Sequence, residues 1–92
     1  MIRSFGDKKT ERLFAGKSVR EFSGIRNVAE RKLVMLDSAT ELKDLLAAPG
    51  NRLKQLKGDR TGQHSIRIND QWRICFRWIT DGPHDVEILE YH

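Results

Sequence analysis

The chain has 92 residues, 38% hydrophobic and 33% charged, which suits one domain with a modest core and a heavily ionic surface. Seventeen Lys and Arg against thirteen Asp and Glu give a formal charge of +4, a balance that permits nucleic-acid binding without requiring it. No apolar run reaches the length of a membrane span, the opening Met1-Ile2-Arg3-Ser4-Phe5 lacks a signal-peptide pattern, and the single cysteine, Cys75, has no partner for an internal disulfide, so a cytoplasmic protein is expected.

In chain order, Ile2 to Phe5 reads as a short strand. Asp7 is placed to cap a short helix through Leu13 and Phe14, with Gly16 ending it. Lys17 to Gly24 is charged and expected to be irregular. Ile25, Val28, Ala29, Leu33 and Leu36 then recur at three- and four-residue spacings, one face of a helix. Ser38-Ala39-Thr40-Glu41 matches a capping box. Leu42, Leu45 and Leu46 continue as a second helical stripe, closed by Pro49-Gly50. Asn51 to Gly62 reads as a loop. From His64 the pattern alternates, with Ile66 and Ile68 on one side and Ser65, Arg67 and Asn69 on the other.

Asn69-Asp70-Gln71 is a hairpin turn in this reading. Beyond it, Trp72, Ile74, Phe76 and Trp78 share one face of a strand and Arg73, Cys75 and Arg77 the other. Thr80 to His84 supplies another turn. Asp85 to Tyr91 forms a last strand, with Val86 and Ile88 opposite Leu89. The expected fold is α+β, a small, mainly antiparallel sheet packed against N-terminal helices, in a single domain over residues 1–92. With Arg73 on the side away from the core, Arg73→Ala is expected to spare the fold. Trp72→Ala is expected to cost roughly 3–5 kcal/mol if the ring is fully buried.

Charge is unevenly spread. Residues 1–49 carry ten bases and seven acids, residues 50–77 seven bases and two acids, and residues 78–92 four acids with no Lys or Arg. The positive excess therefore peaks in the central segment. A solvated face is the plain alternative to a binding surface there.

His64, His84 and His92 are far apart in sequence and Cys75 stands alone, so no metal-ligand spacing is visible. Lys57-Gly58-Asp59-Arg60 lacks the pattern of a phosphate-cradling loop. What remains is a metal-free phosphodiester site without cofactors. Cleaving RNA through its own 2′-hydroxyl needs a group to activate that hydroxyl, cations to hold the charge growing on phosphorus, and an acid for the 5′-oxygen. Lys54, Lys57 and Arg73 are candidate cations, with Arg60, Arg67 and Arg77 as further RNA-binding groups. Tyr91 and His92 are candidates for proton transfer or stacking, since imidazole alone titrates near neutrality unperturbed. Glu90 and the terminal carboxylate favour the imidazolium. A frayed tail is the plain alternative for the last three residues.

Leu56-Lys57-Gly58-Asp59-Arg60, Gly62, Ser65-Ile66-Arg67-Ile68-Asn69 and Trp72-Arg73-Ile74-Cys75-Phe76, with the opening Met1-Ile2-Arg3-Ser4-Phe5 and the ending Glu90-Tyr91-His92, resemble the HigB branch of the RelE/ParE toxin superfamily over nearly the whole chain. The resemblance implies a RelE-like sheet packed on helices and a toxin of a type II toxin–antitoxin system. It implies metal-independent, ribosome-dependent cleavage of mRNA in the A site. The implied partners are the ribosome, mRNA and a HigA-type helix-turn-helix antitoxin, with operator DNA reached only through the antitoxin complex and no membrane. Carried over residue by residue, the active-site positions are Lys54, Lys57, Arg73, Glu90, Tyr91 and His92. Lys54 stands where some relatives place histidine, and Glu90 where some place aspartate. Lysine's ordinary pKa of about 10.4 makes it a poor neutral base, so Lys54 is assigned to charge stabilisation first and base duty second. A ParE-like inhibitor of DNA gyrase and a non-catalytic nucleic-acid or ribosome binder are the alternatives.

Overall fold

A computed structural model describes residues 1–90; Tyr91 and His92 lie outside the described residues. Its α-helices are α1 (Lys8–Phe14) and α2 (Arg26–Ser38), and its strands are β1 (Lys54–Gln55), β2 (His64–Arg67), β3 (Trp72–Ile79) and β4 (Gly82–Glu90). Short 3-10 turns occupy Arg20–Phe22, Leu42–Ala47, Pro49–Asn51 and Gly58–Arg60. The strands form a meander in the order β1-β2-β3-β4, every neighbouring pair antiparallel.

Local chemistry accounts for most of these boundaries. The Asp7 carboxylate accepts from the Thr10 amide at 3.0 Å and starts α1, satisfying one of the amides a helix start leaves without a partner. Gly16, at φ 88, follows the end of that helix in a conformation that glycine adopts without strain. In α2 the expected stripe is inward: Ala29, Leu33 and Leu36 are buried, with Ile25 just before the helix.

The expected Ser38–Glu41 capping box is not formed. Ser38 is still helical, as the last residue of α2, and the reciprocal pair is Glu41 with Asp44. The Asp44 carboxylate accepts from the Thr40 and Glu41 amides, both at 3.0 Å. The following stripe is a 3-10 segment rather than an α-helix, so only Leu45 is fully buried and Leu46 faces outward.

The core fills the space between the helices and one face of the sheet. Leu13, Phe22, Ala29, Leu33, Leu36 and Leu45 pack there against Ile66, Ile74, Phe76, Val86 and Ile88. The register aligns Ile66 with Ile74 and Ile74 with Ile88, so these side chains stack as one apolar row. Trp72 and Trp78 are only partly buried at the margin of that core. Trp72 meets Phe22 edge-on at 5.7 Å. The full-burial condition behind the larger stability cost of Trp72→Ala is therefore not met.

Three expectations about strands need revision. Ile2 to Phe5 forms no strand; it meets β4 through an isolated parallel bridge, Phe5 to Val86, and a hydrogen bond from the Arg3 amide to the Pro83 carbonyl at 2.9 Å. Residues Asn51 to Gly62 contain a strand, β1, inside the expected loop. The turn expected over Thr80 to His84 is tighter, because Pro83 and His84 already belong to β4. At its corner, Gly82 sits at φ 130, and a Cβ there would fall 2.7 Å from the Met1 carbonyl oxygen.

Between Cys75 and Arg77 the β3–β4 pairing shifts register. The extra residue is on β4, where Asp85 adopts φ 53, as in a β-bulge.

Candidate active site

The sheet face turned away from the core is ordered in rows by the strand register. One row runs Lys54, Ser65, Cys75, Glu87 across β1 to β4; the next runs Arg67, Arg73, Leu89. Beside these rows lies the β1–β2 connection, with its 3-10 turn at Gly58–Arg60. Sheet and connection together enclose a cleft of about 490 Å³ lined by Leu56, Lys57, Asp59, Arg60, Ser65, Arg73, Cys75, Leu89 and Glu90.

Arg73 forms the floor. It is 6% exposed, which departs from the solvent-facing arginine expected. Its Nε donates to Ser65 Oγ at 2.8 Å, and its Nη2 donates to the Arg52 carbonyl at 2.6 Å. Arg52 presents that carbonyl from a left-handed conformation, φ 44 and ψ 56. Truncating Arg73 thus removes interior hydrogen bonds as well as a cation, and the expectation that Arg73→Ala spares the fold is withdrawn.

Lys57 is exposed on the cleft's rim, and Lys54 is exposed at the strand edge in register with Ser65. Arg60 donates through Nη1 to Gln63 Oε1 at 3.0 Å and to Glu87 Oε1 at 2.8 Å. Glu87 therefore partly neutralises the cation nearest β4.

The cleft also borders Glu90, whose carboxylate accepts from the Gln71 side-chain amide in the β2–β3 turn. Glu90 is in register with Trp72, so it shares a face with Val86 and Ile88 and not with Leu89. Arg67 and Arg77 lie outside the lining. Arg67 is paired with Asp70, and Arg77 approaches Asp85 at 3.5 Å beside the bulge. The structure thus brings Lys57, Arg60, Arg73 and Glu90 to one cleft, sets Lys54 beside it, and leaves Arg67 and Arg77 on its flanks. The candidates Tyr91 and His92 lie outside the described residues.

Three participants escaped the sequence reading: Ser65, Cys75 and Glu87. A turn centred on Asp70 sets Arg67 opposite Arg73 and Ser65 opposite Cys75, and that register was the available signal for the first two. Burial pushes the Cys75 thiol pKa up; the neighbouring Arg60 and Arg73 guanidiniums oppose this and Glu87 adds to it. Cys75 is thereby kept as a neutral wall of the cleft rather than a thiolate.

The other described histidines are elsewhere. His64 stacks on Phe76 at 6.2 Å, and His84 meets Asp81 at 2.7 Å. Among the described residues no group of three His, Cys, Asp or Glu side chains could hold a metal ion, and no helix is long and apolar enough to cross a membrane. Chemically, the cleft offers a buried cation, Arg73, and more exposed ones, Lys57 and Arg60, near the end of the last strand. That arrangement suits an anionic ligand that must be held at a set orientation.

Comparison with known proteins identifies the family. Residues 3–92 match the family described as the RelE-like toxin of type II toxin-antitoxin system HigB. The chain is 38% identical over 81 residues to Toxin HigB-1 of Vibrio cholerae serotype O1, covering 86% of this chain and 85% of that protein. It is 33% identical to Endoribonuclease HigB of Proteus vulgaris, covering 100% of both. Among solved structures, the YoeB-YefM complex from Staphylococcus aureus contains a chain with TM-score 0.63 at 16% identity, covering 100% of this chain and 98% of that one; at that identity the likeness concerns the fold. The chain belongs to the HigB family of RelE-like toxins of type II toxin–antitoxin systems.

Proposed function

We propose that this chain is an endoribonuclease that cuts mRNA in the ribosomal A site, using the cleft beneath the β1–β2 connection, and so inhibits translation. The observation that carries the reading is the meeting of Lys57, Arg60 and Arg73 in one cleft of a HigB-family chain with a relative named as an endoribonuclease.

In the proposed reaction the 2′-hydroxyl gives up its proton to water or to Lys54 in its secondary base role, its oxygen attacks the adjacent phosphorus, and the 5′-oxygen leaves and takes up a proton. The products are a 2′,3′-cyclic phosphate and a 5′-hydroxyl. Negative charge grows on the non-bridging oxygens, and Arg73, Lys57 and Lys54 supply cations for it. Arg73 is the fixed donor, since burial and its bonds to Ser65 and Arg52 hold its plane. Lys57 and Lys54 are exposed, at the rim of the cleft and beside it.

Proton transfer falls to His92 as the acid, with Tyr91 stacking or assisting and Glu90 favouring the imidazolium. No metal or other cofactor takes part in the proposed step. Weak activation of the hydroxyl is tolerable where the ribosome holds the mRNA in reactive geometry. Arg60, Arg67 and Arg77 contact the RNA on either side.

The proposed partner that restrains the toxin is a HigA-type helix-turn-helix antitoxin, through which the pair reaches operator DNA. The family description, which names a type II toxin-antitoxin system, supports an antitoxin. The cytoplasm, where ribosomes and mRNA meet, is the proposed location. The test maps mRNA ends in cells after brief induction of wild type, Arg73→Lys and His92→Ala. New ends within translated regions are expected for wild type alone. Toxicity that survives both substitutions, with no new ends, would favour a gyrase inhibitor instead.

A further inference from the structure

The cleft's buried arginine is oriented from outside the sheet. One of its acceptors, the Arg52 carbonyl, belongs to the short connection between the Pro49–Asn51 turn and β1. A non-glycine residue in the left-handed region persists only where its surroundings over-determine it. Here the surroundings are the side chain of the preceding residue. Asn51 is 0% exposed. It accepts from Lys32 Nζ at 2.5 Å, donates to the Leu45 carbonyl at 3.0 Å, and donates to Met35 Sδ at 3.1 Å.

Lys32 and Met35 belong to α2. A line of contacts therefore runs from α2 through Asn51 and the Arg52 carbonyl to the Arg73 guanidinium. Lys32 is 7% exposed, and burial, with Arg31 and Arg67 nearby, pulls its pKa below the ordinary lysine value. Burying an ammonium among cations is unfavourable. An apolar side chain at this position would leave the Asn51 oxygen without its donor.

We infer that Lys32 and Asn51 are positioning residues for Arg73: their hydrogen bond anchors residues 49–53 on α2 and, through the Arg52 carbonyl, sets the orientation of the guanidinium in the cleft. The consequence for catalysis rests on the cleavage reading above; the geometric statement is independent of it. The two residues touch no substrate in this scheme. They act on Arg73, the buried cation of the cleft.

Nitrogen-15 spectroscopy of the arginine side chains in the full chain tests this. Held by the Arg52 carbonyl, Arg73 is expected to show separate, slowly exchanging Nη resonances in wild type. Lys32→Met and Asn51→Ala are expected to lose that separation, while the Nε resonance, bonded to Ser65, stays in place. Lys32→Met keeps the Asn51 contacts to Leu45 and Met35, so it reports even if Asn51→Ala does not fold.

In RNA cleavage each substitution is expected to lower the rate on the order of tenfold, and to add nothing further in an Arg73→Lys background. Unchanged Nη resonances in the folded variants would overturn the inference, as would a cleavage loss fully additive with Arg73→Lys. A wild type with the locked Arg73 spectrum that cuts no RNA would sink the cleavage reading instead, and the spectra alone would then decide the positioning.

Discussion

Ser65 and Arg73 lie on neighbouring strands with the serine hydroxyl accepting from the guanidinium Nε at 2.8 Å, and Ser65 is 0% exposed. The bond fixes one edge of the guanidinium and fills the only hydroxyl position in that row of the sheet. Removing the acceptor leaves a charged donor buried without it, at a cost of about 1–3 kcal/mol. Ser65→Ala is thus expected to lower the thermal midpoint and to weaken cleavage together. Paired melting curves and cleavage time courses check this; a variant as stable and as active as wild type would contradict it.

Glu87 tempers the cleft's charge through its 2.8 Å ion pair with Arg60. Both side chains are partly exposed, Arg60 at 39% and Glu87 at 20%, so the pair contributes little to stability, about 0–1 kcal/mol. Glu87→Gln is expected to bind RNA more tightly than wild type, with a steeper fall as salt rises. Lys57→Ala is expected to bind more weakly, with a shallower salt slope by roughly one unit. Fluorescence titrations at several salt concentrations separate the two. Parallel salt dependences for all three proteins would argue against phosphate contacts here.

Thr10 joins α1 to the last strand. It is 0% exposed, and its hydroxyl accepts from the Ile88 amide at 2.9 Å. Thr10→Val keeps the shape and deletes the acceptor, leaving a buried backbone donor at a cost of about 1–3 kcal/mol. Chemical denaturation is expected to show an earlier midpoint with an unchanged slope. The loss should be absent in Thr10→Ser.

Asp44 gives the fold a sensitivity to acid. Hydrogen bonds from the Glu41 and Thr40 amides, and from the Thr40 hydroxyl, hold its carboxyl below the ordinary value of 3.8. The folded state therefore prefers the carboxylate more than the unfolded chain does. That stabilisation is present above the ordinary carboxylate range and is lost as pH falls through the lowered folded value. Asp44→Asn is expected to flatten the acid limb of a thermal-midpoint-against-pH curve, with little change near neutrality in its slope.

The alternation of Arg73-Ile74-Cys75-Phe76 made β3 legible, because a strand with one apolar face repeats every two residues. α2 was legible for the equivalent reason at helical spacing. β1 was not, since Lys54 and Gln55 are too few to carry any period and form a strand by pairing with β2. The misplaced capping box has a similar origin. Both Ser38–Glu41 and Glu41–Asp44 satisfy the spacing, and what decides between them is how far α2 extends, which depends on packing of Leu36 rather than on local sequence. Within the site, the identity of the cations was readable and their depth was not. Arg73 is buried by its bonds to Arg52 and Ser65, residues 21 and 8 positions away in sequence.

The most direct measurement incubates the purified chain with ribosomes programmed by a defined mRNA and follows the RNA fragments and their ends over time. Wild type is expected to cut within the A-site codon and leave a 2′,3′-cyclic phosphate and a 5′-hydroxyl, with Arg73→Lys slowed on the order of a hundredfold. Intact mRNA with wild type, or cutting that Arg73→Lys leaves undiminished, would contradict the account.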